Sequence, residues 1–256
     1  MGQAMIGGIV KSGLVPPEQV YAADPSEQNL NRVQKEYGIC VTQDNLVPAK
    51  KCDILVLSVK PYLYADVIEE IRATVKQDVV IVMIAAGQTI AVNEARFGRN
   101  IKIVRAMPNT PALVGEGMAA LCANSYVTDE EKDEVREIFE SFGKAEFVAE
   151  NMMDVVAGVS GSSPAYVYMF IEALADGAVL QGMPRQQAYT FAAQAVLGSA
   201  RMVLETGMHP GALKDMVCSP GGTTIEAVAS LEQDGLRAAV IRAVDVCTEK
   251  SKAMSK

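Results

Sequence analysis

The first half of the chain alternates mostly apolar runs with amphipathic segments, and this pattern predicts a parallel β-sheet covered by helices. The main runs are DILVLSV at 53–59, VVIVMIA at 79–85 and IKIVRAM at 101–107. Near-continuous apolar runs are typical of strands that are buried on both faces. Because helical patterns separate these runs, we expect a Rossmann-type α/β fold with a doubly wound sheet and right-handed crossovers.

Shorter patterns complete this half, and the strand patterns stop at residue 151. The other predicted strands lie at 20–24, 118–123 and 145–148, and the predicted helices at 3–12, 26–37, 61–75, 89–96 and 129–142. The rest of the chain predicts only helices, at 152–183, 185–205, 211–216, 224–231 and 235–254. We therefore predict a dinucleotide-binding domain at 1–150 and an all-α domain at 151–256.

The predicted C-terminal helices are rich in Ala, Val, Leu and Met, and the first two carry few charges. A helix that is apolar on most of its faces must be buried. The roughly 105 residues of this half offer such helices few partners within one subunit. We expect them to pack against the helices of another subunit; a methionine-rich cofactor-binding site is the alternative.

Composition narrows the class of protein. The net charge of −8 argues against non-specific binding to nucleic acid or to an anionic membrane. The five cysteines are scattered without a C-x-x-C pair, and a single histidine cannot complete a usual zinc site, so we predict no metal. The chain shows no signal-peptide pattern and no long apolar run. We expect a soluble cytoplasmic protein with reduced thiols.

The N-terminal helix and the strand after it resemble part of a dinucleotide site. Such a site has a glycine-rich turn at the start of its first helix and an acid at the end of its second strand. Asp24 ends the 20–24 run, and Gly2 fits the third glycine of G-x-G-x-x-G, so we assign Gly2, Gln3 and Asp24 to the cofactor. The first strand and the first two glycines are absent. We expect the biological chain to begin about a dozen residues upstream; a shortened paralogue without cofactor is the alternative.

Polar loops follow three of the predicted strands. Parallel strands present their carboxyl ends, where α/β sheets bind ligands, at one edge of the sheet. The candidate cofactor-binding residues at this edge are Ser58, Val59, Lys60, Pro61, Ala86, Gly87, Asn109 and Thr110. Each loop alone is also explained as an ordinary turn, but three together predict a site.

Two segments of the helical half carry candidate substrate chemistry. SPGGTT at 219–224 combines a glycine turn with a helix start, where the amides of Gly222, Thr223 and Thr224 and nearby hydroxyl groups form a cradle for a carboxylate or phosphate. SGSSPAY at 160–166 opens a long helix, and capping alone also explains its serines. The candidate substrate-binding residues are Ser162, Gly221, Gly222, Thr223 and Thr224.

These segments resemble the pyrroline-5-carboxylate reductase family. SVKP at 58–61, RAMPNTPA at 105–112, SGSSPAY at 160–166 and HPGALKDMVCSPGGTTIEAV at 209–228 match that family in order and spacing, and the resemblance covers the whole chain. It implies a Rossmann domain, an interlocked helical dimerisation domain and, in many members, a decamer. The implied reaction is hydride transfer from NADPH or NADH to the C=N bond of 1-pyrroline-5-carboxylate, which gives L-proline.

The resemblance also implies residue roles. The catalytic positions are Thr224, whose hydroxyl meets the ring nitrogen, and Ser219, which opens the cradle. Asn45 matches a position near the adenosine ribose in some members. His209 reads as a structural turn residue rather than an acid, because an imine nitrogen is basic enough to arrive protonated.

The choice between NADPH and NADH stays open. The family commonly uses NADPH, but Asp24 suits NADH, and Arg32 lies close enough to compensate.

Two other functions compete with the reductase. A β-hydroxyacid dehydrogenase shares the domain order but relies on a lysine in its first long C-terminal helix, and 151–183 contains no Lys, Arg or His. A non-catalytic paralogue is the other, against which the complete SPGGTT segment argues.

Overall fold

A computed structural model describes residues 1–254, which form two compact units. The first, which we call the α/β unit, comprises Met1–Ser162 together with residues 246–254. The second, the helical unit, comprises Ser163–Asp245. The division thus falls later than the predicted boundary at residue 150, and the end of the last helix belongs to the first unit.

Strands and helices of the α/β unit follow the predicted alternation. The strands within residues 1–162 are β1 Tyr21–Ala23, β2 Cys40–Thr42, β3 Ile54–Leu57, β4 Val80–Met83, β5 Lys102–Met107, β6 Gly117–Ala123 and β7 Gly143–Phe147. The α-helices of the same range are α1 Gly2–Lys11, α2 Glu27–Tyr37, α3 Leu46–Lys51, α4 Tyr64–Ile71, α5 Ile90–Phe97, α6 Asp129–Glu140 and α7 Met153–Val156. The Rossmann-type prediction is confirmed by this order and by the parallel pairing of β3, β4 and β5.

The strands form two sheets rather than one. β1 pairs in parallel with β2, and a separate sheet has the order β3-β4-β5-β6-β7. Strand β6 runs antiparallel to β5, so right-handed parallel crossovers do not extend through the whole sheet. The division falls between β1 and β3, the place that the Rossmann strand order gives to a first strand.

A cleft of about 1100 Å³ lies within the α/β unit at this division. Its walls include residues 20–24 along β1, residues 53–59 along β3 and the α1 side chains Met5, Ile6 and Ile9. The edges of β1 and β3 that face away from β2 and β4 pair with no strand of residues 1–254. The cleft is therefore bordered by two unpaired strand edges and an apolar helix face.

The five-stranded sheet supplies the core. Ile81, Met83 and Ile103 pack on one face, whereas Val82, Val104 and Leu121 pack on the other, and all are at most 1% exposed. Side chains of successive strand residues point to opposite faces, so residues buried on both sides give the continuous apolar runs of the sequence. This rigid sheet positions the loops at its carboxyl edge.

Two short elements were missed by the sequence reading. Strand β2 has three residues and α3 has six, which is too short for a clear period of two or of 3.6 residues. Pro48 also argues against a helix at α3, but it lies in the first turn, where its missing N–H leaves no bond unmade. The predicted helix at 61–75 is shorter than expected, because a 3₁₀ turn at Pro61–Leu63 precedes α4.

The stretch 152–183 is helical as predicted over most of its length, but it is not one continuous α-helix. A 3₁₀ turn at Glu150–Met152 leads into α7, a π-helical segment follows at Ala157–Gly161, and the long helix α8 begins only at Ser163. Gly158 and Gly161 weaken the α-helical conformation of this segment. The Ser160 carbonyl accepts a hydrogen bond from the Asn109 side chain (3.0 Å), which gives the segment a partner outside the helix.

The helical unit and the last helix have the bounds α8 Ser163–Leu180, α9 Arg185–Thr206, α10 Pro210–Val217, α11 Thr223–Gln233 and α12 Leu236–Met254. The bounds of α9 to α12 agree with the predicted helices to within a few residues, whereas α8 begins well after the start of the predicted stretch at 152. Helices α8 and α9 pack against each other, with Ala175, Ala188 and Ala192 buried. None of the helices among residues 1–254 combines the length and apolarity that a membrane span requires.

Candidate functional site

The cleft of the α/β unit brings together predicted cofactor-binding residues from four parts of the chain. Its lining includes Gly2, Gln3, Asp24, Asn45, Ser58 and Val59. The start of α1 and the ends of β1 and β3 thus border a common space, as the sequence predicts for a dinucleotide site. Lys60 and Pro61, although adjacent in sequence, lie outside this lining.

The start of α1 has the features of a pyrophosphate site. Met1 is its N-cap and makes no side-chain capping bond, so the amides of the first turn are not capped by a side chain. A Cβ built on Gly2 would lie 3.0 Å from Ser58 Oγ, which is a tight contact. Exposed helix amides and a close glycine backbone suit an anionic group. The residues present therefore fit the pyrophosphate of a dinucleotide.

Glycines further along α1 allow the helix to pack closely. A Cβ on Gly7 would lie 2.9 Å from Tyr37 Oη, and one on Gly8 would lie 2.7 Å from the Cβ of Phe142. The Cβ of Phe142, which follows α6, cannot rotate away, so the close packing of α1 depends mainly on Gly8, whereas a side chain at Gly7 would displace the Tyr37 hydroxyl.

Asp24 follows β1 directly, and its amide donates to the Thr42 carbonyl (3.3 Å), which extends the strand pairing. Its Oδ1 accepts hydrogen bonds from the Ser26 amide (2.7 Å) and from Asn29 Nδ2 (3.4 Å). These bonds hold the carboxylate at the start of α2. Asn45 lies at the start of α3, and its Nδ2 donates to Glu70 Oε2 (2.8 Å), so its side chain is engaged within the protein.

The loops after β3 and β4 are tied together. Gln88 Nε2 donates to the Pro61 carbonyl (3.3 Å), whereas the Lys60 side chain is exposed. Gly87 has a left-handed backbone with φ of +72°, and a Cβ there would lie 2.9 Å from the Met254 carbonyl oxygen. Ala86 is half-buried beside it. The two loops form one connected surface at the carboxyl edge of the sheet.

The sequence did not reveal the role of Tyr64, whose hydroxyl hydrogen-bonds to the backbone at the ends of β3 and β4. Its buried hydroxyl donates to the Leu57 carbonyl (2.7 Å) and accepts from the amides of Ile84 and Ala85 (3.2 Å each). Burial raises the pKa of Tyr64 to about 12, although the two backbone bonds oppose the rise. The hydroxyl therefore joins the ends of β3 and β4. Its position three residues after Pro61 gave no signal of this role.

Asn109 and Thr110 occupy different environments. Asn109 is buried, its Oδ1 accepts from the Met118 amide (2.9 Å), and its Nδ2 donates to the Ser160 carbonyl (3.0 Å). Both polar ends are therefore occupied by the protein, so contact with a cofactor stays a prediction. Thr110 is exposed at the start of the 3₁₀ turn Thr110–Val114.

Arg105 is a second residue whose role the sequence did not reveal. Its guanidinium is buried on β5, and its Nη1 contacts Glu150 Oε1 (3.2 Å), which also accepts from the Ile90 amide at the start of α5 (2.9 Å). The Nε and Nη2 atoms have no partner among residues 1–254. The only sign of this role in the sequence was that Arg105 is a charged residue within the mostly apolar run IKIVRAM.

The segment that was predicted to form an anion cradle, SPGGTT at 219–224, lies in the helical unit. Gly221 has a left-handed backbone with φ of +65°, and the Gly222 amide donates to the Ser219 carbonyl (3.0 Å) to close the turn. The Gly222 amide is therefore engaged in the turn and does not remain as a free donor. Helix α11 then begins at Thr223, and its N-cap Gly222 makes no side-chain capping bond. The amides of Thr223 and Thr224 thus stay available for an anion.

A Cβ at position 222 would collide with Ser219 Oγ unless that hydroxyl group rotated away. His209 is structural, as expected: it caps α10, and its Nδ1 accepts from the Gly211 amide (3.0 Å).

Ser162 lies at the end of the π-helical segment, 3.2 Å from the Sγ of Cys247. No cluster of three or more metal-binding side chains occurs within the described residues.

The glycine-bearing start of α1, the acid after β1 and the Rossmann-type sheet define a dinucleotide-binding domain, the kind that NAD(P)H-dependent oxidoreductases use. Two family models match the chain: "NADP oxidoreductase coenzyme F420-dependent" at residues 1–87, and "Pyrroline-5-carboxylate reductase dimerisation" at residues 150–254. The chain belongs to the pyrroline-5-carboxylate reductase family.

Relatives support this assignment along the full length. The pyrroline-5-carboxylate reductase of Escherichia coli (strain K12) is 54% identical over 256 residues, which is 100% of this chain and 95% of the relative. The enzyme of that name from Methanosarcina acetivorans is 44% identical, with the same shares covered.

Solved structures agree with the sequence relatives. A pyrroline-5-carboxylate reductase from Coxiella burnetii matches with a TM-score of 0.94 at 33% identity, covering 100% of this chain and 95% of that one. The Plasmodium falciparum pyrroline carboxylate reductase with NADP bound matches with a TM-score of 0.90 at 35% identity and the same coverage.

Proposed function

We propose that the protein reduces the C=N bond of 1-pyrroline-5-carboxylate to give L-proline, with NADPH or NADH as the reductant. The observation that carries the proposal is the cradle at the start of α11, where a closed glycine turn leaves the amides of Thr223 and Thr224 uncapped by any side chain. Such a cradle suits the substrate carboxylate. The cleft beside α1 supplies the cofactor site.

The residues of the chain have simple tasks in this reaction. The first-turn amides of α11 bind the carboxylate, and Gly221 and Ser219 shape the turn that presents them. The Thr224 hydroxyl orients the ring nitrogen, which carries its proton into the reaction. When bound, the reduced nicotinamide supplies a hydride to the imine carbon, so the nitrogen becomes a secondary amine without a further acid. Positioning therefore supplies most of the catalysis.

In the α/β unit, we assign contacts to the cofactor by region. The amides at Gly2 and Gln3 hold the pyrophosphate, and Asp24 and Asn45 lie on the adenosine side. Ser58, Val59, Lys60 and Pro61 border the nicotinamide side, together with Ala86, Gly87, Asn109 and Thr110. The hydrogen bond between Gln88 and the Pro61 carbonyl supports a single nicotinamide-side surface built from two loops.

We also propose that the chain acts as a homodimer in the cytoplasm, with further assembly to a decamer. The apolar side chains exposed on the helical unit and the dimerisation model that matches 150–254 support self-association. The scattered cysteines, for which no disulfide is found among residues 1–254, fit a reducing compartment.

The test is oxidation of NADPH and NADH in the presence of 1-pyrroline-5-carboxylate. The Thr224→Ala variant should lose roughly 10–150-fold in kcat/KM, the effect of removing one hydrogen bond to a charged group. Thr190→Ala is the matched control, since Thr190 is an exposed threonine whose hydroxyl bonds to the Gln186 carbonyl within α9. Absence of turnover by the unmodified protein with either nucleotide would contradict the reductase assignment. An unimpaired Thr224→Ala variant would contradict only the role of Thr224.

A further inference from the structure

The carboxylate of Asp24 has one occupied and one available oxygen. Oδ1 accepts from the Ser26 amide (2.7 Å) and from Asn29 Nδ2 (3.4 Å) at the start of α2. Oδ2 receives no hydrogen bond from any residue that the structure describes, and the side chain lines the same cleft as Gly2 and Gln3. The carboxylate is thus held in one orientation with an acceptor left for a ligand hydroxyl.

Most of the basic side chains that line this cleft contact residues other than Asp24. Lys51 Nζ lies 3.2 Å from the Tyr21 hydroxyl and 4.8 Å from the centre of its ring. Lys76 pairs with Asp53 (2.7 Å) beside the start of β3. The exposed Arg32 directs Nη2 to Asn29 Oδ1 (3.4 Å), on the amide whose nitrogen bonds to Asp24. None of these contacts places a cation against the Asp24 carboxylate.

A ribose hydroxyl and a 2′-phosphate make opposite demands on such a site. A hydroxyl donates to a carboxylate in a charge-assisted hydrogen bond. A phosphate in the same place would bring two negative charges together in a half-buried cleft, where solvent screens them less than at the surface. In dinucleotide-binding folds generally, an Asp at the end of the second strand, whose place β1 takes here, hydrogen-bonds the ribose 2′-hydroxyl of NAD. The same Asp disfavours a 2′-phosphate.

We propose that Asp24 binds the hydroxyl groups of the adenosine ribose and makes NADH, rather than NADPH, the preferred reductant of this protein. The role of the nucleotide as reductant rests on the proposed function. The preference in nucleotide binding rests only on residues of the α/β unit. It separates this chain from the relative that is solved with NADP bound. Asp24 is then a specificity residue that contacts the cofactor.

The first test measures binding without turnover, by titration calorimetry with NAD⁺ and NADP⁺. The unmodified protein should bind NAD⁺ roughly tenfold or more tightly than NADP⁺. Asp24→Asn removes the charge but keeps an oxygen that accepts from the Ser26 amide, so it should lower this ratio by roughly tenfold. Asp53→Asn is the matched control, because Asp53 also lines the cleft but pairs with Lys76, and its ratio should not change.

Asp24→Ser is the second variant, in case Asp24→Asn unfolds, and its thermal midpoint should be measured beside its binding ratio. Tighter binding of NADP⁺ by the unmodified protein would overturn the proposal, as would an unchanged ratio in both folded variants. Failure to bind either nucleotide would overturn it together with the cofactor assignment. Preferential NAD⁺ binding without turnover of 1-pyrroline-5-carboxylate would support the proposal and contradict the proposed reaction.

Discussion

The two units of this protein bury their apolar residues in different ways. The α/β unit encloses large side chains such as Ile81, Met83 and Leu121 completely. In the helical unit, the buried hydrophobic residues among 163–245 are three alanines, while Leu180 and Leu204 are 83% and 80% exposed. A helix that is apolar on most faces needs a partner surface. The first unit thus has an apolar core of its own, whereas the second leaves apolar side chains exposed that the proposed self-association would cover.

The largest expected effect comes from a charge placed on the apolar surface of the helical unit. Phe191 on α9 is 66% exposed, and Phe191→Asp should dissociate the oligomer, because a two-fold interface would bury the carboxylate twice without a partner. Light scattering after size exclusion measures the oligomer. Tyr62→Asp is the control, since Tyr62 is 77% exposed in the α/β unit and should leave the mass unchanged. An intact dimer in Phe191→Asp would contradict the assignment of this surface.

The next effect concerns the core of the α/β unit. Ile81 is fully buried on β4, and Ile81→Ala should lower the free energy of unfolding by about 2–5 kcal/mol through lost burial and a cavity. Denaturant unfolding at several protein concentrations measures it. The loss should not depend on concentration, whereas the loss in Phe191→Asp should, because only the latter acts through association. A concentration-dependent loss in Ile81→Ala would remove the distinction between the units.

The elements that could be predicted are those with a long, regular pattern. The runs at 53–59, 79–85 and 101–107 gave β3, β4 and β5, and the glycine turn at 219–224 gave the start of α11. Strand β2 and helix α3 were too short to show a period. The π-helical segment at Ala157–Gly161 could not be foreseen, because a side chain distant in sequence, that of Asn109, supplies its bonding partner.

A similar limit applies to the site. The residue types and spacing placed Gly2, Asp24 and Ser58 at one cleft, since the Rossmann connection brings helix starts and strand ends together. The spacing did not reveal that the Gly222 amide is used within its own turn, because that depends on the left-handed backbone at Gly221. Whether a backbone amide is free to bind a ligand depends on the conformation of the folded backbone. The residue type alone therefore does not predict it.

A smaller effect is expected at the joint between β3 and β4. Tyr64→Phe removes the hydroxyl that bonds to Leu57, Ile84 and Ala85, and should cost about 1–3 kcal/mol by leaving buried backbone groups without partners. Tyr62→Phe is the matched control, because that side chain is exposed. Unfolding by denaturant at pH 7 measures both variants. Equal losses in the two would contradict the joining role of Tyr64.

The same residue predicts a pH dependence. Burial raises the pKa of Tyr64 from 10.0 to about 12, so the unfolded chain loses this proton before the folded protein does. Its contribution to stability is therefore present below pH 10 and is lost as the pH rises to about 12. Unfolding measured between pH 9 and pH 12 should show a weaker decline in Tyr64→Phe than in the unmodified protein. Parallel declines would show that Tyr64 does not carry the dependence.

The smallest effect tests whether local helix stability is alike in the two units. Thr128 forms a capping box with Glu131 at the start of α6, and Thr128→Ala should cost about 0.5–2 kcal/mol. On α9, Arg201 pairs with Glu205 one turn later (2.7 Å) at an exposed site, and Glu205→Gln should cost only about 0.3–0.5 kcal/mol. Both losses should be independent of protein concentration, because neither change removes apolar surface from an interface. If Glu205→Gln instead weakened association as strongly as Phe191→Asp, charged pairs rather than apolar contacts would hold the helical units together.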